Sequence, residues 1–278
     1  MELKKKNERK AGVVLHPTSL PGPWGIGDIG AEAFKFIDLM ADAGVKIWQI
    51  LPLTPTGSDG CPYNSFSAFA GNELIIDITA LQKKGLIPEN IRHPGFNDKS
   101  VDYKSVIPFK LELIYKAAQN FFGSSRSRSD FEKFRVANKW WLDDYALYKA
   151  ISDSCDNVSW KFWPEGLKKK EKKAVDKFAK EHQSEILRYQ FGQWLFFSQW
   201  KELKTYANSK NVEILGDIPI FLSFDSADVW ANQEIFKMVD GVMSEVSGVP
   251  PDYFSADGQL WGNPLYDWDM LKKTGYAW

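Results

Sequence analysis

A carboxylate follows a short hydrophobic run at residues 212–220, which read Val-Glu-Ile-Leu-Gly-Asp-Ile-Pro-Ile. The run predicts a buried strand with Asp217 at its carboxyl end. In parallel α/β folds this end of the sheet carries the side chains that contact ligands. Asp217 is therefore a candidate ligand-contacting residue, and a turn or helix N-cap aspartate is the alternative.

A long polar loop carries a second group of candidates. Residues 52–67 are rich in Pro, Thr, Gly, Ser and Asp, and among them Tyr63 and Ser65 offer an aromatic ring and a hydroxyl. An aromatic face can stack on the C–H face of a sugar, while hydroxyls bind the sugar's hydroxyl groups. Trp261, in another glycine-flanked loop, offers similar chemistry. Ordinary turn residues, with Tyr63 packed on the core, are the alternative.

His16 ends another β-branched run, residues 12–16, and so stands at a second predicted strand end. A lone histidine is more often a structural hydrogen-bonding residue, and both interpretations stay open. The sequence contains no GxGxxG, Walker, HExxH or GxSxG motif, and Cys61 and Cys155 have no metal-binding spacing. We therefore expect no metal and no cofactor, and the cysteine content favours a cytoplasmic protein.

The elements that must position these residues are predicted from hydrophobic periodicity. Strands are expected around Val13, Ile47 and Ile214, and a helix around Ile37 joins the first two. Strand, helix and strand with short connections are typical of a parallel sheet, so we expect an α/β fold. A further long helix is predicted over residues 184–208.

Two other parts of the chain are interpreted from their composition. Residues 81–180 carry helical patterns and are predicted to form a mostly helical insertion with a solvated charged face at 168–173. Residues 247–278 are dense in Pro, Gly, Asp, Tyr and Trp and are predicted to form a large structured loop. Three tryptophans with helical spacing are expected in the core: Trp140, Trp194 and Trp200.

Composition excludes several classes of protein. The 278 residues suit one large domain or two small ones, with 44% hydrophobic and 26% charged residues, as in folded soluble proteins. A net charge of −1 provides no uniform positive field, so nucleic acid is not an expected partner. The basic segment 1–10 is followed by no apolar stretch long enough for a signal peptide or a membrane span, so no membrane partner is expected.

Several segments in order carry a recognisable combination of motifs. They are residues 12–28 (Gly-Val-Val-Leu-His-Pro-Thr-Ser-Leu-Pro-Gly to Gly-Ile-Gly-Asp), 48–53 (Trp-Gln-Ile-Leu-Pro-Leu), 62–72 (Pro-Tyr-Asn-Ser-Phe-Ser-Ala-Phe-Ala-Gly-Asn), 140–148, 216–219, 225–230 and 249–266. Together they strongly resemble the 4-α-glucanotransferases, also called amylomaltases or disproportionating enzymes. The resemblance covers residues 10–268, nearly the whole chain.

The resemblance implies a TIM (β/α)8 barrel with helical insertions. Enzymes of this family transfer a segment of α-1,4-glucan to the 4-hydroxyl of an acceptor glucose or glucan by a retaining mechanism, without a cofactor. The matching motif positions imply substrate contacts for Tyr63, Asp217 and Trp261, and also for His16 and Ser65. Residues 247–278 would then form the region that overhangs the active site. The implied partners are α-1,4-glucans, maltooligosaccharides and glucose.

The sequence departs from the family pattern in one respect. The family's nucleophilic Asp lies in an Arg-Ile-Asp-His-like strand after the Trp-Gly-Asn-Pro motif, and its acid/base Glu and a third essential Asp lie later still. No Arg-x-Asp-His pattern occurs here, so we assign no catalytic residue to this chain and expect the nucleophile and the acid/base to lie beyond Trp278. Residues 1–278 are thus expected to be the N-terminal part of the barrel domain, inactive alone and unstable or aggregation-prone, because an unclosed sheet exposes an apolar edge.

Two other functions stay open. A non-catalytic glucan-binding remnant would use Tyr63 and Trp261 as stacking platforms and would bind maltooligosaccharides as a folded monomer. A related barrel hydrolase would release reducing sugar to water. Product lengths that depend on the acceptor would distinguish transfer from hydrolysis.

Overall fold

A computed structural model describes residues 9–92 and 94–278, so most of the basic segment 1–10 lies outside the described residues. The strands are β1 (Gly12–Val14), β2 (Ile47–Gln49), β3 (Glu213–Leu215), β4 (Met238–Val239), β5 (Val242–Met243), β6 (Val246–Val249) and β7 (Gln259–Pro264). The helices are α1 (Ala31–Asp42), α2 (Ile78–Lys83), α3 (Tyr103–Gly123), α4 (Ser129–Ser154), α5 (Glu165–Lys168), α6 (Lys172–Glu181), α7 (Gln183–Ser209), α8 (Ala227–Ala231) and α9 (Trp268–Lys273).

The chain divides into two compact units, which we describe separately. The first unit comprises Met1–Leu53, Asn72–Asn120 and Leu195–Asp217, and the second comprises Thr54–Gly71, Phe121–Trp194 and Ile218–Trp278. In the first unit, β1, β2 and β3 form a parallel sheet in that order, and α1 joins β1 to β2. The predicted strands and the connecting helix are therefore confirmed.

The two faces of this parallel sheet differ. Trp48 of β2 is fully buried, and its ring meets the edge of Phe36 from α1 at a centroid distance of 5.1 Å. Side chains alternate along a strand, so the next row of the sheet points the other way. That row consists of Val14, Gln49 and Leu215, of which Val14 is 60% and Leu215 is 51% exposed. One face is thus packed against a helix while the other carries exposed apolar side chains.

β3 is shorter than the strand predicted over residues 212–220. Pairing with β2 ends at Leu215, and the following Gly216 to Ile220 run without regular structure. Pro219 has no backbone N–H to donate to a ladder, which disfavours continued pairing. Asp217 therefore stands just beyond the strand, as its position in the sequence suggested.

The predicted long helix is confirmed as α7. Two of its buried glutamines each bind both backbone groups of one residue in the segment 71–77. In the second unit, the side-chain amide of Gln193 accepts from the N–H of Gly71 at 2.7 Å and donates to its carbonyl at 2.9 Å. In the first unit, Gln199 makes the same pair of bonds with Asp77, at 2.8 and 3.2 Å.

Aromatic rings form much of the core of the second unit. Phe121, Phe131, Phe191 and Trp194 lie within 6.5 Å of one another by ring centroid. The prediction that Trp140 belongs to the core is wrong, because its side chain is 63% exposed. Helix α4 buries the neighbouring residues at positions 141, 142 and 145 instead, so Trp140 falls on a different face of the helix.

Regular structure also occurs where the sequence suggested only a loop. Within residues 247–278, β7 pairs antiparallel with β6, and α9 follows them. Within 81–180 the structure contains α3 to α6, and whether this interval is an insertion stays a prediction. Over the described part of the chain, no helix combines the length and apolar character that crossing a membrane requires.

Candidate functional site

Two of the predicted site residues follow strands of the parallel sheet in the first unit. Backbone hydrogen bonds continue past the strands, from the N–H of Leu15 to Gln49 and from that of Ile50 to Leu215, both 3.0 Å long. His16 and Asp217 therefore lie at the same, carboxyl edge of the sheet, with the end of β2 between them. Neighbouring strands lie about 4.8 Å apart, which separates the two backbones by about 10 Å.

Both ring nitrogens of His16 already have partners in the first unit. Nδ1 lies 2.7 Å from the Thr18 hydroxyl, and Nε2 lies 3.2 Å from the Pro52 carbonyl oxygen. Because only a protonated nitrogen can donate to a carbonyl, Nε2 carries the proton in the neutral ring. Burial lowers the pKa of His16, although the bond to Pro52 partly opposes this. These contacts favour the structural interpretation of this histidine.

Asp217 is exposed at the sheet edge. It caps no helix, since the next helix, α8, begins at Ala227, and the N-cap interpretation is therefore wrong. The space around the preceding Gly216 is open, with no atom within 4 Å of the place where a Cβ would stand. The carboxylate thus has the accessibility that a ligand-contacting group needs.

Tyr63 and Ser65 share one loop of the second unit but differ in exposure. The Tyr63 side chain is 46% exposed. Ser65 is fully buried, and its hydroxyl donates to the Ser67 carbonyl at 2.6 Å and accepts from the Ser67 N–H at 3.1 Å. The loop therefore presents the tyrosine ring to solvent, while the serine hydroxyl holds the turn that follows it.

Trp261 lies on β7 of the same unit, with its side chain 49% exposed. Its indole N–H donates to the side-chain oxygen of Gln259 at 3.1 Å, and its ring centroid lies 6.1 Å from that of Phe221. The segment 221–223 also reaches the loop of Tyr63, because the N–H of Ser223 donates to the carbonyl of Ser65 at 3.3 Å. The loop and β7 therefore both contact one short segment, residues 221–223.

Sequence reasoning missed a buried carboxylate that contacts this loop. Asp228, only 6% exposed, accepts from the N–H of Ala68 at 2.9 Å and from the hydroxyl of Ser67. Burial raises its pKa to about 6. Asp228 lies on the short helix α8, which Ser226 caps by accepting from the N–H of Val229 at 3.2 Å. Because Asp228 and Ala68 lie 160 positions apart, no local pattern could reveal the contact.

Each unit presents groups that suit a neutral, polyhydroxylated ligand. In the second unit, two half-exposed aromatic rings offer flat apolar faces, and in the first unit an exposed carboxylate offers hydrogen-bond acceptors. Among residues 9–92 and 94–278, no group of three or more His, Cys, Asp or Glu side chains is arranged to hold a metal ion.

Comparisons with known proteins connect this arrangement to one family. The family model described as 4-alpha-glucanotransferase matches residues 15–278. The chain is 43% identical to the 4-alpha-glucanotransferase of Synechocystis over 278 residues and 44% identical to that of Thermus thermophilus over 272 residues. These alignments cover 98% and 97% of this chain, and 55% and 54% of the relatives. The chain thus spans about half the length of the curated relatives it matches.

A solved structure agrees with these matches. Amylomaltase from Streptococcus agalactiae, in complex with acarbose, superposes with a TM-score of 0.92 at 39% sequence identity, covering 98% of this chain and 56% of that one. The fold class is therefore confirmed as the α/β, TIM-barrel class with helical additions. The family match and the structural likeness both extend over almost the entire chain, and the protein belongs to the 4-alpha-glucanotransferase family.

Proposed function

We propose that these residues form the glucan-binding part of a 4-alpha-glucanotransferase. The activity is transfer of a segment of α-1,4-glucan to the 4-hydroxyl of an acceptor glucose or glucan, with retention at the anomeric carbon. The observation that carries the proposal is the pair of half-exposed rings, Tyr63 and Trp261, in a chain of this family. The complex of the S. agalactiae amylomaltase with acarbose supports a saccharide ligand.

The proposed binding residues have different roles. Tyr63 and Trp261 stack on sugar faces, and Asp217 accepts hydrogen bonds from sugar hydroxyls. His16 and Ser65 act by shaping the loops around them, because their polar side-chain atoms already bond to neighbouring residues. The ligands are α-1,4-glucans, maltooligosaccharides and glucose. The proposed location is the cytoplasm, where the free Cys61 and Cys155 stay reduced.

We assign the chemical step to none of the carboxylates in residues 1–278. A retaining glycosyl transfer needs two carboxyl groups about 5 Å apart, one as nucleophile and one as acid and then base. Asp217 matches a different family motif from the one that carries the nucleophile. The chain of 278 residues is therefore expected to bind glucans without converting them.

The test is to incubate the purified chain, its intact mass confirmed, with maltotriose and to analyse the products by chromatography. In parallel, calorimetric titration with maltoheptaose measures binding. Saturable binding without products is the expected result. Glucose together with longer oligosaccharides would show that carboxylates within these residues perform the transfer. Release of reducing sugar in a yield that does not depend on the acceptor concentration would indicate hydrolysis. A chain that does not bind maltoheptaose would contradict the proposed function.

A further inference from the structure

A buried carboxylate bonds the loop that carries Tyr63. Asp228, on α8, lies 2.9 Å from the backbone nitrogen of Ala68 and also accepts from the Ser67 hydroxyl. The next residue toward the N-terminus is tied as well, because the N–H of Ala227 donates to the carbonyl of Phe66 at 2.9 Å. The start of α8 therefore contacts a continuous stretch of the loop at residues 66–68.

Ser67 also bonds loop residues on both sides of it in the sequence. Its hydroxyl oxygen accepts from the N–H groups of Phe69 and Ala70 at 3.2 and 3.3 Å. Its backbone binds the Ser65 hydroxyl through both the carbonyl and the N–H. Ser65 is two positions from Tyr63. Residue 67 is therefore bonded on both sides: its hydroxyl donates to the Asp228 carboxylate, and its backbone bonds the Ser65 hydroxyl in the turn that presents the tyrosine.

The ionised form of Asp228 suits this role. A carboxylate only accepts hydrogen bonds, and both of its partners here are donors, whereas a protonated carboxyl group adds a donor that competes with the Ser67 hydroxyl. The titratable groups around it are Asp144 of α4, which is paired with Lys170 at 2.7 Å, and the neutral phenol of Tyr266. Tyr145 of α4 lines the same small cavity.

We propose that Asp228 is a positioning residue for glucan binding, which fixes the turn at residues 65–68 and thereby the orientation of the Tyr63 ring. This inference rests on the proposed function. It assigns Asp228 no contact with the sugar and no part in a chemical step. Ionisation of Asp228 and glucan binding are then linked, so affinity falls as the solution is acidified through the range in which this carboxyl group titrates.

Calorimetric titration with maltoheptaose tests the proposal. At pH 7, D228A is expected to weaken binding about 10-fold, because the Ala68 N–H and the Ser67 hydroxyl lose a charged acceptor. D228N keeps one acceptor oxygen and is expected to fall between D228A and the wild type. The matched control is D28N, which alters an equally buried aspartate in the first unit and is expected to leave affinity within about 2-fold.

The pH profile separates positioning from a purely structural role. Wild-type and D28N affinities should decrease from pH 7 to pH 5, while that of D228N should stay constant over this range. S67A removes one of the two donors that bond the Asp228 carboxylate, so its effect and that of D228N should not add. If D228A does not fold, S67A and D228N test the positioning role instead.

Different results would overturn different claims. If the wild type binds maltoheptaose but the Asp228 variants bind it as tightly as D28N does, the positioning role is wrong and the proposed function stands. A wild-type affinity that is constant from pH 5 to pH 7 contradicts the positioning role in the same way. A wild-type chain that does not bind overturns the proposed function and this inference with it.

Discussion

The rings of Tyr63 and Trp261 are each about half exposed, at 46% and 49%. An aromatic ring that is half exposed can offer solvent-accessible apolar surface on which a sugar stacks. We predict that Tyr63→Ala and Trp261→Ala each weaken maltoheptaose binding about 10-fold, a change of about 1.4 kcal/mol. Calorimetric titration measures this change.

The matched control for these variants is Phe162→Ala. Phe162 is another exposed aromatic residue of the second unit, 70% exposed, and no sugar contact is assigned to it. Its removal is expected to leave the affinity unchanged. Equal losses in all three variants would show that aromatic exposure in general, and not these two positions, determines binding.

A buried ion pair in the first unit determines part of the pH dependence of stability. Asp28 lies 3.9 Å from the ammonium nitrogen of Lys110, which also donates to the Ile76 carbonyl at 2.9 Å. Burial raises the pKa of Asp28 to about 6, against the attraction of Lys110, and lowers that of Lys110 to about 8. The folded state thus holds a proton on Asp28 that the unfolded state releases near pH 4.

Because the pKa of Asp28 is higher in the folded than in the unfolded state, this residue makes stability depend on pH. Between about pH 4 and pH 6 the folded state binds more protons than the unfolded state, so the Asp28 contribution to stability falls as the pH rises. The full change is up to about 3 kcal/mol. Urea unfolding from pH 4 to pH 6.5 should show a smaller decrease in D28N than in the wild type. The same decrease in both proteins would contradict the assignment.

At the scale of elements, helix α7 binds the backbone of a distant loop residue through a buried side-chain amide. Gln193 is fully buried and satisfies both backbone groups of Gly71, at 2.7 and 2.9 Å. Replacing it by methionine keeps the volume but leaves a buried N–H and a carbonyl without partners, which costs about 1 to 3 kcal/mol. We predict that Gln193→Met lowers the free energy of unfolding by this amount. In urea unfolding the midpoint should fall while the m-value stays unchanged.

The control for this prediction lies on the same helix. Gln183 is exposed at the start of α7, so Gln183→Met is expected to change stability by less than about 0.5 kcal/mol. If both substitutions cost the same, intrinsic helix preference rather than the Gly71 contact would explain the loss.

At the scale of the whole molecule, the exposed row of the parallel sheet affects solution behaviour. Val14 and Leu215 occupy one row of this sheet and are 60% and 51% exposed. Exposed apolar side chains on an open sheet favour association between molecules. We predict that the chain self-associates as its concentration rises, and that the double variant V14K/L215K reduces this association in sedimentation velocity experiments.

A control substitution to lysine outside the sheet tests whether added positive charge alone reduces self-association. Leu39 of α1 is 64% exposed in the same unit, and Leu39→Lys is expected to leave self-association unchanged. A similar reduction in L39K would mean that added positive charge, rather than the sheet face, controls association.

The sequence by itself determined the parallel strands around Val13, Ile47 and Ile214, the long helix α7 and the family. Each of these depends on local information, either a hydrophobic period or a short string of residues. The same local information led to one error at Trp140, because helical spacing shows that residues share a face but not which face meets the core. It also extended β3 across Pro219, where pairing had already ended.

Only the tertiary structure decided which polar groups already have partners. The side chains of Ser65 and His16 bond Ser67, Thr18 and Pro52, which their positions in the sequence did not indicate, and their roles in ligand binding stay predictions. Asp228 was not among the predicted site residues, and its carboxylate accepts from the N–H of Ala68, 160 positions away. The physical reason is that burial and hydrogen bonding depend on neighbours in space, which the fold brings together from distant parts of the chain.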